Sequence, residues 1–254
     1  MKALHVFAVK NSLLLIITLL FYSCTDNKKI FEYIKDGKIQ GVEKCINENH
    51  QILNSKSSLG DTPLILAVKK GNIQIIKLLL NKGANPNEKD DENNWTPLYW
   101  AINNIYINNN YEIVEILIKK KSSLKIKDKF GYTPLHWAAK KNEFRICKLL
   151  INQRKININS KTKTGFTPLM LSVVDDDEEA VKITSLLIAN GAEVDLQDDK
   201  GRTALIYAVI NNSLPNIKIL LNSKANVNIA DEQSKTAIDY AESRKVKKLI
   251  HVYK

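Results

Sequence analysis

Apolar positions along this chain fall into a two-part unit that recurs. In its first clear copy, a short apolar stretch runs through Leu64 and Ala67 to a polar break, and a second stretch follows with Ile73, Ile76, Leu79 and Leu80 at i, i+3, i+6 and i+7. That spacing is the stripe of a helix buried on one side. The stripe returns in Ile113-Val114 with Ile116-Leu117, in Ile146 with Leu149-Leu150, in Val181 with Leu186-Leu187, and in Ile217 with Leu220-Leu221. The pattern predicts a series of paired short helices.

A tripeptide keeps the register of this unit. Thr-Pro-Leu begins at Thr62, Thr96, Thr133 and Thr167, then becomes Thr203-Ala204-Leu205 and Thr236-Ala237-Ile238, with steps of 34, 37, 34, 36 and 33 residues. Threonine can cap a helix whose first residue is proline, because the missing proline N–H costs nothing in the first turn. Gly60, Gly131, Gly165 and Gly201 stand two residues before the threonine, and Asn94 holds that slot in the second copy. A tight turn there calls for positive φ, which glycine tolerates freely and asparagine next best. Ala67, Ala101, Ala138 and Ala208, with Ser172 in the fourth copy, let neighbouring first helices approach closely. Gly83 and Gly191 suit the left-handed position that ends a helix, and Lys121, Arg154 and Lys224 replace that glycine elsewhere, each weakening its cap by about 1 kcal/mol.

A period near 33 residues carrying this tripeptide resembles the ankyrin repeat, and the resemblance covers nearly all of the chain from residue 30 onward. It implies an all-α solenoid of helix-turn-helix pairs with β-hairpin loops, six to seven repeats including caps. Phe31, Ile34, Val42, Cys45 and Ile46 form a degenerate first pair. Residues 239–252, with Arg244, Lys245, Lys247 and Lys248, continue the last copy. Such ends need a polar face because each repeat touches only its neighbours. Polar segments such as Asn85-Pro86-Asn87 and Asn226-Val227-Asn228 read as strand-like arms entering the next hairpin. Two copies carry insertions between their helices, at Ile105 to Asn110 and at Asp175-Asp176-Asp177-Glu178-Glu179.

The N-terminus does not share the repeat. Two lysines lie between Met1 and Ser12, Leu13 to Phe21 is apolar except for Thr18, and Ser23 precedes Cys24, the three-part shape of a secretory signal. As a helix at ~1.5 Å per residue the apolar run covers about 13 Å, far less than the ~30 Å hydrocarbon core. Phe21-Tyr22-Ser23-Cys24 resembles the lipobox of bacterial lipoproteins, which implies acylation of Cys24 and a place at the membrane of the bacterial cell envelope. An ordinary cleaved signal, with a secreted product, and an uncleaved anchor are the alternatives. The expected divisions are a signal segment over 1–23, a linker over 24–29 and the repeat domain over 30–254.

Composition narrows the function. A chain with 44% hydrophobic and 26% charged residues is of ordinary globular balance. The formal charge of +11 falls to +9 without Lys2 and Lys10, and such an excess attracts acidic proteins, anionic lipid and polynucleotides alike. The lysines are dispersed over loops, arms and caps and are not lined beside stacked aromatics, so no nucleic acid is expected. Cys45 and Cys147 sit alone in apolar helical stretches and read as core residues. His5, His50, His136 and His251 form no metal-like spacing. The acidic run 175–179 lacks the alternate spacing and turn glycine of a calcium loop. With no nucleophile elbow, phosphate loop or dinucleotide fingerprint, neither enzyme activity nor a cofactor is expected. His136, within Thr133-Pro134-Leu135-His136, resembles the family's repeat histidine, which implies a hydrogen-bonding brace for the hairpin.

The family resemblance implies that a partner protein or peptide meets the groove formed by hairpin tips and first helices. The residues between the turn position and the threonine are Asp61, Trp95, Tyr132, Phe166 and Arg202, and the aromatics among them either face a partner or pack along the hairpin stack. A second row, Lys69, Lys70, Asn103, Asn104, Lys140, Lys141, Val174, Asp175 and Asn211, is basic in its first half and nearly neutral in its second. It either steers an acidic ligand or is an ordinary solvated face. The expected function is a monomeric scaffold that binds a partner protein. A secreted effector acting on another organism's proteins and a basic peripheral lipid-binding protein are the alternatives.

Overall fold

The computed structural model describes residues 27–104, 109–153 and 156–253. Cys24 and the other residues of the signal-like segment lie outside them, as do Ile105 to Asn108 of the first insertion and Arg154. Among the described residues fourteen α-helices fall in pairs: α1 (Lys28–Lys35) with α2 (Ile39–Glu48), α3 (Pro63–Lys69) with α4 (Ile73–Asn81), α5 (Pro97–Asn103) with α6 (Asn110–Lys119), α7 (Pro134–Lys140) with α8 (Phe144–Ile151), α9 (Pro168–Ser172) with α10 (Glu178–Ala189), α11 (Ala204–Ile210) with α12 (Leu214–Asn222), and α13 (Ala237–Tyr240) with α14 (Arg244–His251). The first helices stack in chain order, and the second helices form a layer behind them. This is the ankyrin-type solenoid that the repeat predicts.

Local chemistry sets the element ends. The Oγ of Thr62, Thr167 and Thr203 accepts the N–H of Ile65, Met170 and Ile206 at 3.2–3.3 Å, and Thr133 and Thr236 complete capping boxes with His136 and Asp239. The Thr96 hydroxyl finds no partner among the described residues. The first helices stop after one or two turns at Gly71, Asn142 and Asn212, each in the left-handed region. Lys121 and Lys224 occupy the terminal left-handed position of α6 and α12, with φ of 65° and 64°, so the strain expected of these replacements is present.

The small register is buried, with Ala67, Ala101, Ala138, Ser172 and Ala208 all fully covered. Ser172 is the only one of these that carries a polar atom, and its Oγ meets the Leu169 carbonyl and the Thr184 hydroxyl at 3.0 Å each. The stripe of α10 differs from the expected one. Ala180, Ile183, Thr184 and Leu187 face the core, while Val181 and Leu186 are half-buried. The cap sets this phase, since the Asp177 carboxylate accepts the Ala180 N–H at 2.8 Å and starts the helix there. Cys45 and Cys147 lie fully inside the core, and burial pushes the Cys147 thiol up from its ordinary value.

The hairpins are turns, with no strand among the described residues. Five close on two backbone bonds: the N–H of Ser57, Asp128, Thr162, Asp198 and Asp231 donates to the carbonyl of Asp61, Tyr132, Phe166, Arg202 and Lys235, and the N–H of Gly60, Gly131, Gly165, Gly201 and Ser234 donates back to the carbonyl of the first residue, too few bonds to make a ladder. Asp90 closes on Trp95, one residue further away, and this longer loop accommodates Asn94 at φ 57°. Successive tips are tied by single backbone bonds, from Lys129 to Asn93, Lys163 to Phe130, Asp199 to Thr164 and Glu232 to Lys200. That close approach makes the turn glycine doubly necessary. At Gly165, φ is +79° and a Cβ would stand 2.6 Å from the Asp199 backbone nitrogen.

Two stability changes are expected in urea unfolding. Gly165→Ala should cost about 2 kcal/mol or more, from left-handed strain added to the clash. Lys224→Gly should instead gain about 1 kcal/mol, since no contact is removed and the strain is relieved.

Candidate functional site

The groove is built on a polar frame inside the hairpins. Asp128 begins its hairpin, and its Oδ1 accepts the N–H groups of Phe130 and Tyr132, both at 2.9 Å. The equivalent bonds run from Asp90 to Asn93 and Trp95, from Asp198 to Lys200 and Arg202, and from Asp231 to Gln233 and Lys235. In the remaining hairpins the hydroxyls of Ser57 and Thr162 do the same work. One side-chain oxygen thereby holds the tip of each turn.

The second carboxylate oxygen reaches the first helix. Asp90 accepts the Trp100 indole N–H at 2.8 Å, Asp128 that of Trp137 at 2.9 Å, Asp198 the Tyr207 hydroxyl at 2.5 Å, and Asp231 the Tyr240 hydroxyl at 2.5 Å. Where the hairpin begins with Ser57 or Thr162, which offer a single side-chain oxygen, the aromatic slot nine residues later holds Leu66 or Leu171. Donor and acceptor therefore vary together within this one chain, as a buried polar group requires. Asp231 also accepts from Arg202 Nε at 3.3 Å. Burial works to raise its carboxyl, but Tyr240, the Lys235 and Gln233 N–H groups and Arg202 outweigh that and hold it at about 2.

A third device joins each hairpin to the next. His136 Nδ1 accepts the Thr133 N–H at 3.1 Å, and its Nε2 stands 3.0 Å from the Phe166 carbonyl, which assigns the neutral tautomer protonated on Nε2. Burial, opposed by the backbone bonds, lowers this imidazole to about 4. Tyr99 fills the same register one repeat earlier and directs its hydroxyl at the Tyr132 carbonyl, 2.6 Å away. This is the bracing role that the resemblance implied for His136.

The expected contact residues separate on this frame. Asp61 is 4% exposed and bound by Lys69 through both oxygens, at 2.6 and 2.8 Å. Trp95 is 7% exposed, packed edge-on against Trp100 and Trp137, with its N–H on Asp128 at 3.2 Å. Both are engaged within the stack. Tyr132, Phe166 and Arg202 are half-buried, with Phe166 against Tyr207 and Arg202 tied to Asp231 and Tyr240. In the second row Lys69, Asn103 and Asn104 are half-buried, and Asn104 donates to the Lys69 carbonyl. Lys70, Lys140, Lys141, Val174, Asp175 and Asn211 are exposed.

Two features were not foreseen. The aspartates that clamp the hairpins stand five or six residues before each threonine, a regular spacing open to inspection. Phe130, at the tip beside Gly131, is 52% exposed and lines a cavity of about 480 Å³ with Tyr132, Trp137, Lys140, Lys163 and Thr164. In the acidic insertion, Asp175 and Asp177 accept from Asn142 Nδ2. No group of carboxylate, histidine or cysteine side chains among the described residues is placed to hold a metal ion.

The family model for ankyrin repeats matches residues 4–128, 105–184 and 180–252. An ankyrin repeat protein, L371, of Acanthamoeba polyphaga mimivirus is 28% identical over 205 residues, 78% of this chain, which spans about a quarter of that protein's length (26%). The Saccharomyces cerevisiae protein named Probable 26S proteasome regulatory subunit p28 is 31% identical over 158 residues, covering 62% of this chain and 67% of that one. Among solved structures, the ankyrin repeat domain of Bcl-3 superposes with a TM-score of 0.77 at 24% identity, covering 88% of this chain and 97% of that one, a likeness of fold.

Two measurements check the frame. Asp128→Asn leaves an acceptor for the hairpin N–H groups but turns an amide N–H toward two indole donors, so unfolding in urea should come about 2–3 kcal/mol sooner, with a change in tryptophan emission. A pH series checks His136. Its folded value lies below the ordinary 6.5, so the native state resists protonation and stability present above that value is lost as pH falls toward 4. The loss should reach about 3 kcal/mol and be absent in His136→Gln. Below pH 4 a second decline should follow as Asp231 is protonated toward its folded value of about 2.

Proposed function

Because the chain belongs to the ankyrin-repeat proteins, we propose that it is a scaffold whose groove grips a segment of a partner protein. Ankyrin-repeat domains mediate protein–protein interaction, and the yeast relative is named as a subunit of a protein assembly. The observation that carries the reading is a division of labour in the groove. Asp61, Trp95 and His136 are consumed by the frame, while Lys70, Lys140 and Lys141 stand exposed, outside every ion pair among the described residues. Rigid scaffolding beneath unpaired surface cations suits capture of an acidic partner.

The place of action is part of the proposal. An acylated Cys24 would hold the solenoid at a membrane, and the four-residue reach from there to α1 keeps the start of the solenoid within about 15 Å of the surface at ~3.3–3.6 Å per residue. What supports it is the charged, apolar and small-residue order of the first 24 positions. A second reading, direct binding to anionic lipid, draws on the exposed Arg244, Lys245, Lys247 and Lys248 of α14.

The double reversal Lys70→Glu, Lys141→Glu changes two exposed positions and should leave thermal unfolding unaltered. In a pull-down from cell-envelope extract it should lower recovery of the captured partner at least tenfold, and recovery equal to that of the unaltered chain would rule out this face. Metabolic labelling with a fatty acid should mark the protein and be lost in Cys24→Ala. Label retained in that variant would defeat the anchor, and unmodified protein in the medium would point to secretion.

A further inference from the structure

We infer that the cavity between the third and fourth hairpins is a subsite for an acidic side chain and its apolar neighbour, carried by an internal segment of the partner protein; this rests on the groove reading above. Its walls are two half-buried rings and one exposed one. Tyr132 and Trp137 meet at 5.3 Å between centroids, tilted by 37°, and Phe130 closes the outer side. Lys140 lies over both inner rings, its Nζ 5.5 Å from the Tyr132 centroid and 5.2 Å from that of Trp137. Lys163 and Thr164 complete the rim. No carboxylate lies within ion-pair distance of either lysine among the described residues. Asp128, the carboxylate on which the Trp137 indole rests, is taken up by two indoles and two backbone N–H groups.

The chain itself displays the arrangement with the carboxylate in place. Lys69 and Lys140 hold the same register, seven residues after Thr62 and Thr133. In the first repeat the hairpin residue is Asp61, which binds Lys69 through both oxygens while Lys69 lies 3.8 Å over the Trp100 ring. In the third repeat Tyr132 stands where Asp61 would be, so Lys140 lacks that anion. Its aromatic bed is Tyr132 and Trp137 of its own repeat, whereas Lys69 lies over the ring of the following one, a register that Leu171 fills after Lys140. A ligand carboxylate beside Tyr132 supplies the missing partner, with Lys163 facing it from the next hairpin.

The cavity is preformed, which lowers the cost of binding. The Lys163 N–H donates to the Phe130 carbonyl, fixing one hairpin to the other, and the Trp137 indole is pinned on Asp128 at 2.9 Å. A free inorganic anion would use the lysines and leave Phe130 idle, whereas an acidic residue followed by an aromatic or aliphatic one uses both. A polynucleotide is disfavoured because the adjoining repeat presents Asp175, Asp176 and Asp177, all exposed, to the next stretch of its backbone.

The test is selection of a random twelve-residue peptide library on the full chain. Selected peptides are then synthesised with both termini blocked and titrated by tryptophan emission, which Trp137 makes sensitive to this cavity. The expected peptides carry Asp or Glu beside an apolar residue, and Phe130→Ala and Lys140→Glu with Lys163→Glu weaken them at least tenfold while Lys replacing the acidic residue partly restores binding to the reversed variant. Peptides that survive these variants but are lost in Lys70→Glu, Lys141→Glu overturn the subsite and leave the groove standing. Peptides indifferent to both sets overturn both. Failure to select any acidic peptide, binding only through a free C-terminal carboxylate, or equal binding of a dodecathymidylate probe overturns the subsite as well.

Discussion

Each internal helix pair in this chain has two apolar sides, and only another pair can cover them. Everything else follows from keeping successive pairs at one spacing. Fully buried alanines and Ser172 let the first helices touch, and single backbone bonds between hairpin tips hold the same distance on the other side. A Cβ at Gly165 would meet the Asp199 backbone, so the two constraints converge on that turn. Without this spacing the hairpins would not align, and no groove would exist.

Stacking turns brings polar backbone into a dry interior, and the hairpin aspartates resolve that conflict. One oxygen of each satisfies the turn, and the other receives an indole or phenol donor from the following helix. The substitution of Ser57 and Thr162, each with leucine nine residues on, shows that the second oxygen is present only where a donor comes with it. Such a pair is worth little if complete and costs several times more if half is removed. The frame is thus sensitive at residues that touch no partner.

The fold was legible because its signals are local. Proline after threonine, a left-handed residue two positions before it, and the 3.6-residue stripe each act within one turn of chain, so they can be read without knowing what packs where. The groove was less legible because exposure depends on neighbours. Trp95, Tyr132 and Phe166 occupy one register, yet Trp95 is covered because Trp100 and Trp137 flank it at 4.9 and 5.0 Å between centroids. The Asp–Trp and Asp–Tyr bonds were missed for a related reason: they link positions nine or ten residues apart across a turn–helix boundary, where neither periodicity directs attention.

A uniform frame need not make a uniform groove. Lys69 and Lys140 sit on the same helical register, Lys69 above the following repeat's Trp100 and Lys140 above Tyr132 and Trp137 of its own, and the hairpin residue beside each decides its state of charge pairing. With Asp61 opposite, Lys69 is a structural cation with nothing left for a ligand; with Tyr132 opposite, Lys140 retains its charge for one. A single hairpin position therefore decides whether a repeat spends its lysine on itself or presents it. At Trp95 and Arg202 the side chain at that position ties one repeat to the next, but at Tyr132 the tie runs through the backbone carbonyl, which accepts the Tyr99 hydroxyl. There the side chain can change without breaking the tie, which is how a repetitive architecture acquires a particular partner.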